Sequence, residues 1–79
     1  MSAQFETKAQ EIEDLVNTAY AEHKVVMVDG RKVKAYGKPA HIYMNGTLSI
    51  TVVAKKAGST VDLFFKEGHR LPVIEIVEA

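Results

Sequence analysis

The groups in this chain suited to catalysis or metal binding are its histidines, serines and carboxylates, and their spacing argues against both uses. His23, His41 and His69 lie far apart and show no ligand spacing. The chain has no Cys, so there is neither a thiolate for zinc nor a disulfide. Ser2, Ser49 and Ser59 are not in the setting of a nucleophile elbow, and no Gly-rich phosphate loop is present. Glu11, Glu13 and Asp14 fall on the polar side of a helical pattern and read as a solvated face, far from a cleft. The expectation is a non-enzyme with no cofactor and no metal.

What remains are groups that bind. Tyr43-Met44-Asn45-Gly46 holds the Asn-Gly pair that signals a hairpin turn without any ligand. Tyr43 fits a half-buried strand position with its hydroxyl in water. Lys66 fits a solvated charge, and His41 an exposed strand end. His69 and Arg70, beside Gly68, offer a positive rim on the last turn. Lys55-Lys56 reads as a charged hairpin end that resists strand pairing. Phe64 and Phe65 read as core or interface, and not as a stacking platform unless the sheet face is open.

The elements that must position these groups follow from periodicity. Residues 3–22 read as a helix: Phe5, Ala9, Ile12, Val16 and Ala19 form one apolar stripe, widened by Leu15 and Tyr20. Thr7 with Gln10 suggests a capping box, with the firm helix starting near Lys8; Ser2 is the alternative cap. From Lys24 the period becomes two. Strands are expected over 24–28, 31–42, 47–55, 60–66 and 71–77, with Asp29-Gly30 as a two-residue turn. The second strand carries Val33, Ala35, Ala40 and Ile42 on its apolar side, and Gly37 and Pro39 bend it. Leu48, Ile50, Val52 and Ala54 alternate with Ser49, Thr51 and Val53, a half-buried antiparallel pattern. Turns this short imply antiparallel pairing.

The fold expected is mainly β with one N-terminal helix: a five-stranded, strongly bent antiparallel sheet forming a small open barrel. A flat α+β sheet with the helix on one face is the alternative. Residues 1–79 make a single domain, and one of this size buries only roughly 60% of its unfolded surface. The last two strands are apolar on both faces: Phe64 opposes Val61, Leu63 and Phe65, while Ile74 and Ile76 alternate with Leu71, Val73 and Val77. A terminal hairpin of this kind needs a cover, either a second copy of the chain or the helix.

Formal net charge is +0, which argues against a broad phosphate-binding surface but not against a local pocket. No apolar run approaches a membrane span and no signal-peptide pattern opens the chain. A soluble, cytoplasmic protein is expected.

This order of elements resembles the Sm/LSm family of RNA-binding ring proteins. The family's first motif, a glycine, an apolar strand position, a bend, Met-Asn and a later apolar residue, is matched by Gly30, Val33, Met44, Asn45 and Leu48. Ala35, Gly37, Ala40 and His41 stand where the family usually has a glycine, an apolar residue, an aromatic and an aspartate. Phe65-Lys66-Glu67-Gly68 is one residue longer than the family's basic-glycine motif.

The resemblance implies a homo-oligomeric ring of six or seven copies, the fourth strand of one pairing with the fifth of the next. It also implies single-stranded, uridine-rich or adenine-rich RNA at the pore. By position, Tyr43 stacks on a base, Asn45 hydrogen-bonds the base edge and Lys66 completes the pocket. His41 takes the aspartate's place in ordering the loop, or stacks itself, and Arg70 extends the rim. Repetition around a ring offsets weak individual sites. A structural or protein-binding β module without nucleic acid is the competing expectation, suggested by the zero net charge and the motif departures.

Overall fold

The computed structural model describes residues 3–56 and 58–78, and the side chain of Ala3 is not described. Helix α1, Ala3–Ala21, is followed by six strands: β1 Val25–Val28, β2 Arg31–Lys32, β3 Ala40–Ile42, β4 Leu48–Val53, β5 Thr60–Phe65 and β6 Ile74–Val77. The stripe read from the sequence is the buried one. Phe5, Ala9, Val16 and Ala19 enter the core, and Ile12 and Tyr20 pack against it. Leu15 does not widen the stripe, being 46% exposed. The helix already runs at Thr7, so Thr7 and Gln10 do not begin it. Buried Phe5 instead anchors its first turn to the core. The alternative cap, Ser2, lies outside the described residues.

The helix stops where His23 turns left-handed, at φ 64. His23 N–H donates to the Tyr20 carbonyl (3.1 Å) and Lys24 N–H to that of Ala19 (3.0 Å). These are the two bonds of a Schellman end, formed with a histidine where glycine is usual.

The strands form two three-stranded antiparallel sheets, ordered β2-β1-β6 and β3-β4-β5. The single five-stranded bent sheet expected from the sequence is therefore divided, and the arrangement is not a closed barrel. The expected strand over 31–42 breaks into β2 and β3. Val33 bridges to Val52, Lys34 N–H donates to the Thr51 carbonyl (3.3 Å), and Thr51 N–H donates to that of Pro39 (2.9 Å). Residues 34–39 thus stand opposite the single residue Thr51. Gly37 and Pro39 sit in this excursion, where neither a ladder donor nor a packing side chain is needed.

Asp29 and Gly30 both take positive φ, 51 and 80, and close the β1–β2 hairpin as the sequence suggested. The last strand starts at Ile74 rather than Leu71. Pro72 has no N–H to give, and the Val73 N–H is taken by the Asp29 carboxylate at 2.9 Å. The expected terminal hairpin does not form either: β6 pairs with β1, from Val25↔Val77 to Val28↔Ile74, and β5 pairs with β4.

One face of β4 is the centre of the core. Leu48, Ile50 and Val52 are each 0% exposed, and burying side chains of this size stabilises the fold by about 1.5–3 kcal/mol apiece. Val26, Val28 and Val33 meet them from the first sheet. Among the described residues no helix is long and apolar enough to cross a membrane.

Candidate nucleic-acid interface

The turn between β3 and β4 places Tyr43 and Asn45. Tyr43 N–H donates to the Thr47 carbonyl, and Gly46 N–H to that of Tyr43, both at 2.9 Å. Only Gly46 has positive φ here, at 87. Asn45-Gly46 is therefore not the two-residue turn that the dipeptide suggests but the end of a longer loop. Within it the Asn45 Oδ1 accepts the Thr47 N–H at 3.0 Å, a side-chain turn of the kind Asn favours. Asn45 is exposed, and among the described residues its Nδ2 group makes no hydrogen bond.

The structure brings Asn45 and Lys66 together. Both line a pocket of about 270 Å³ with Phe5 and Glu6 of the first helical turn, Gly46, Thr47 and Glu67. Lys66 follows β5 directly, so its position is fixed by buried Phe65. Glu6 and Glu67 line it with Lys66, so the pocket is of mixed charge.

Tyr43 shares a second groove with Asn45, of about 320 Å³ and lined by Glu6, Ala9 and Gln10 of the helix, and also reaches the outer side of the β3-β4-β5 sheet. Its ring meets His41 edge-on, with centroids 4.9 Å apart and planes at 85°. Phe64 lies 6.3 Å away on the other side, tilted by 32°. The register explains the row: His41 pairs with Ser49, which pairs with Phe64, so all three project from one face. Thr51 and Asp62 continue that face, with the Thr51 hydroxyl donating to Asp62 Oδ1 at 2.7 Å. Tyr43 is 44% and Phe64 56% exposed, so the face is open. Phe64 was not among the expected binding residues, having been read as core or interface. The signal was its phase: it alternates against Val61, Leu63 and Phe65.

Arg70 is elsewhere. Its Nη2 lies 3.1 Å from Asp29 Oδ2, its Nη1 donates to Asp29 Oδ1 at 3.3 Å, and the pair ties the segment before β6 to the β1–β2 turn. No recorded contact joins it to Tyr43, Asn45 or Lys66. Of the acids of α1, Glu11 and Asp14 are exposed as expected, and Glu13 departs from the solvated face. Glu13 Oε2 accepts the Ile42 N–H at 3.1 Å. A groove of about 620 Å³ follows this seam between helix and β3, lined by Glu13, Asp14 and Glu22 with Lys38 and His41. Its acids repel phosphate, and no grouping of three or more His, Cys, Asp or Glu suited to a metal occurs among the described residues.

What the arrangement supplies is exposed aromatic rings, one amide group with a free donor among the described residues, and one ammonium. These are the groups that hold unpaired bases. No family model, curated protein or solved structure matches the chain.

Proposed function

We propose that the chain is a non-catalytic subunit that binds single-stranded RNA, and that it assembles with copies of itself into an Sm-like ring. In this reading β2 and β3 count as one bent strand. The two sheets, joined at Val33, are then the halves of an open barrel whose free edges are β5 and β6. The observation that carries the proposal is this pair of edges. The strands that the family resemblance pairs between neighbouring copies, β5 and β6, each end a sheet, as β2 and β3 also do, and no described strand lies on their outer sides. Pairing β5 of one copy with β6 of the next repeats the Asn45–Lys66 pocket around a common axis. Uridine-rich or adenine-rich RNA stacks on Tyr43 and His41, and Phe64 extends the same surface. The Asn45 amide and Lys66 contact the base edges and backbone.

The test is anisotropy of labelled oligo-U and oligo-A RNA at low salt. The expected result is salt-sensitive binding that Asn45→Ala weakens while the assembly mass stays unchanged. Unchanged affinity in that variant removes Asn45 from the site.

A second reading is favoured by the charges themselves. Glu6 and Glu67 share a pocket with Lys66, and Asp29 occupies Arg70, which suits a protein-binding module without nucleic acid. Absence of binding to either RNA at low salt selects that reading.

A further inference from the structure

A second aromatic ring stands among cations at the other end of β5. Residues 34–39 carry Lys34, Tyr36 and Lys38, and this excursion is braced at several points. The Tyr20 hydroxyl donates to the Ala35 carbonyl (2.8 Å) and accepts its N–H (2.9 Å). Lys34 and Pro39 are both tied to the backbone of Thr51. At the crest Tyr36 is 110% exposed, so it adds nothing to the core. A braced backbone presenting a bare ring is an arrangement for contact with something outside the chain.

Beside it lies a cavity of about 430 Å³ between the excursion and the β4–β5 turn, lined among others by Tyr20, Lys34, Tyr36, Thr51, Ser59 and Thr60. No carboxylate lines it. Lys34, Lys55 and Lys56 are exposed and form no ion pair among the described residues, while Lys38 lines the acidic groove along the helix instead. Asp62 is close by, with its Oδ1 engaged by the Thr51 hydroxyl. Thr60 begins β5 and Phe65 ends it, which puts this cavity about 17 Å along the strand from the Asn45–Lys66 pocket.

We propose that the Tyr36 excursion and the neighbouring lysines form a second subsite for single-stranded nucleic acid. Tyr36 stacks on one base, and Lys34, with Lys55 and Lys56 of the facing turn, takes the flanking phosphates. Charge complementarity selects a polyanion, because the chain is neutral as a whole and concentrates unpaired lysines here. The exposed ring selects nucleic acid among polyanions, since an acidic peptide matches the charge and leaves the ring unused. The subsite shares only its class of ligand with the proposed function and rests on different residues.

The experiment is anisotropy with labelled oligo-A and oligo-U RNA of about 20 nucleotides, long enough to span both sites. It uses the full chain, Tyr36→Ala, Tyr36→Phe and Asn45→Ala. Tyr36→Ala is expected to weaken binding about tenfold, as loss of one stacked base does, and Tyr36→Phe to bind as the unaltered chain does. An affinity for Tyr36→Ala within about twofold of the unaltered chain, below the cost of a lost stack, overturns the subsite. So does equal loss in Tyr36→Phe, or equal competition by a poly-glutamate peptide. Loss in Tyr36→Ala with none in Asn45→Ala keeps this subsite and removes the Asn45 pocket; the reverse pattern removes this one alone.

Discussion

The outer side of β3 and the outer side of β5 present the same problem, a row of backbone donors and acceptors without a strand beside them. The molecule treats them in opposite ways. Along β3, helix α1 stands in for a strand. The Asn17 carboxamide donates to the Ala40 carbonyl (3.1 Å) and accepts the Ala40 N–H (2.9 Å), and Glu13 accepts that of Ile42 (3.1 Å). Tyr20 does the same for Ala35. Along β5 and β6, among the described residues, no hydrogen bond reaches the outer side. Val61, Phe64, Val73 and Val77 stay exposed around them. One helix has polar side chains in reach of one edge only. The β3 edge is closed within the chain, while β5 and β6 keep open outer sides, which in the proposed ring serve as templates for pairing.

The largest effect that separates these edges is on assembly. In the proposed ring, Val61→Lys with Val77→Lys places a charge on each open edge and reduces the particle to a single chain, measured by light scattering. The thermal midpoint of the single chain stays within a few degrees of that of Val61→Thr with Val77→Thr, because neither site is in the core. A ring that persists in the lysine variant places the interface elsewhere.

The closed edge responds in stability. Asn17→Ala leaves the part-buried Ala40 N–H and carbonyl without partners, at a cost of about 2 kcal/mol. For a domain this small that lowers the thermal midpoint by about 10 °C. A fall of only one or two degrees means that water replaces the carboxamide and that the edge is not sealed by it.

The smallest effect is at the end of β6, where Lys24 joins Glu22 (3.1 Å) and Glu78 (3.3 Å). Hydrogen bonds to the two carboxylates, and then their charges, hold the Lys24 ammonium above its ordinary 10.5. The sign follows. The stabilisation is fully present below the unfolded value and is lost as pH rises through the higher folded one. Lys24→Met removes that alkaline component from a pH series of melts; identical curves for the two chains contradict it. The pair is a surface one, and the change is small.

Much of this was legible before the structure. Periodicity exposes apolar faces, so the buried side of α1 and the alternation of β4 were plain, and Asp29-Gly30 marked its own turn. The illegible parts depend on polar side chains or on distant pairing. Glu13 and Asn17 look like solvent-facing residues because a helical pattern counts only apolar positions, and their partners lie 29 and 23 residues away. The pairing of β6 with β1 rather than β5 is likewise non-local. Gly37 and Pro39 announced an interruption of the second strand, but its extent depends on how Thr51 bonds to both sides of it. In the candidate site, Asn45 and Lys66 were placed by motif, and the structure brings them into one pocket. Phe64 was hidden by its hydrophobicity, and Arg70 by its ion pair with Asp29, which no short-range pattern shows.

The central claim is that β5 and β6 are open so that copies of this chain can pair through them. Light scattering on a sizing column tests it most directly. The account predicts a particle of six or seven chains. A particle of 8.7 kDa, the mass of one chain, contradicts it.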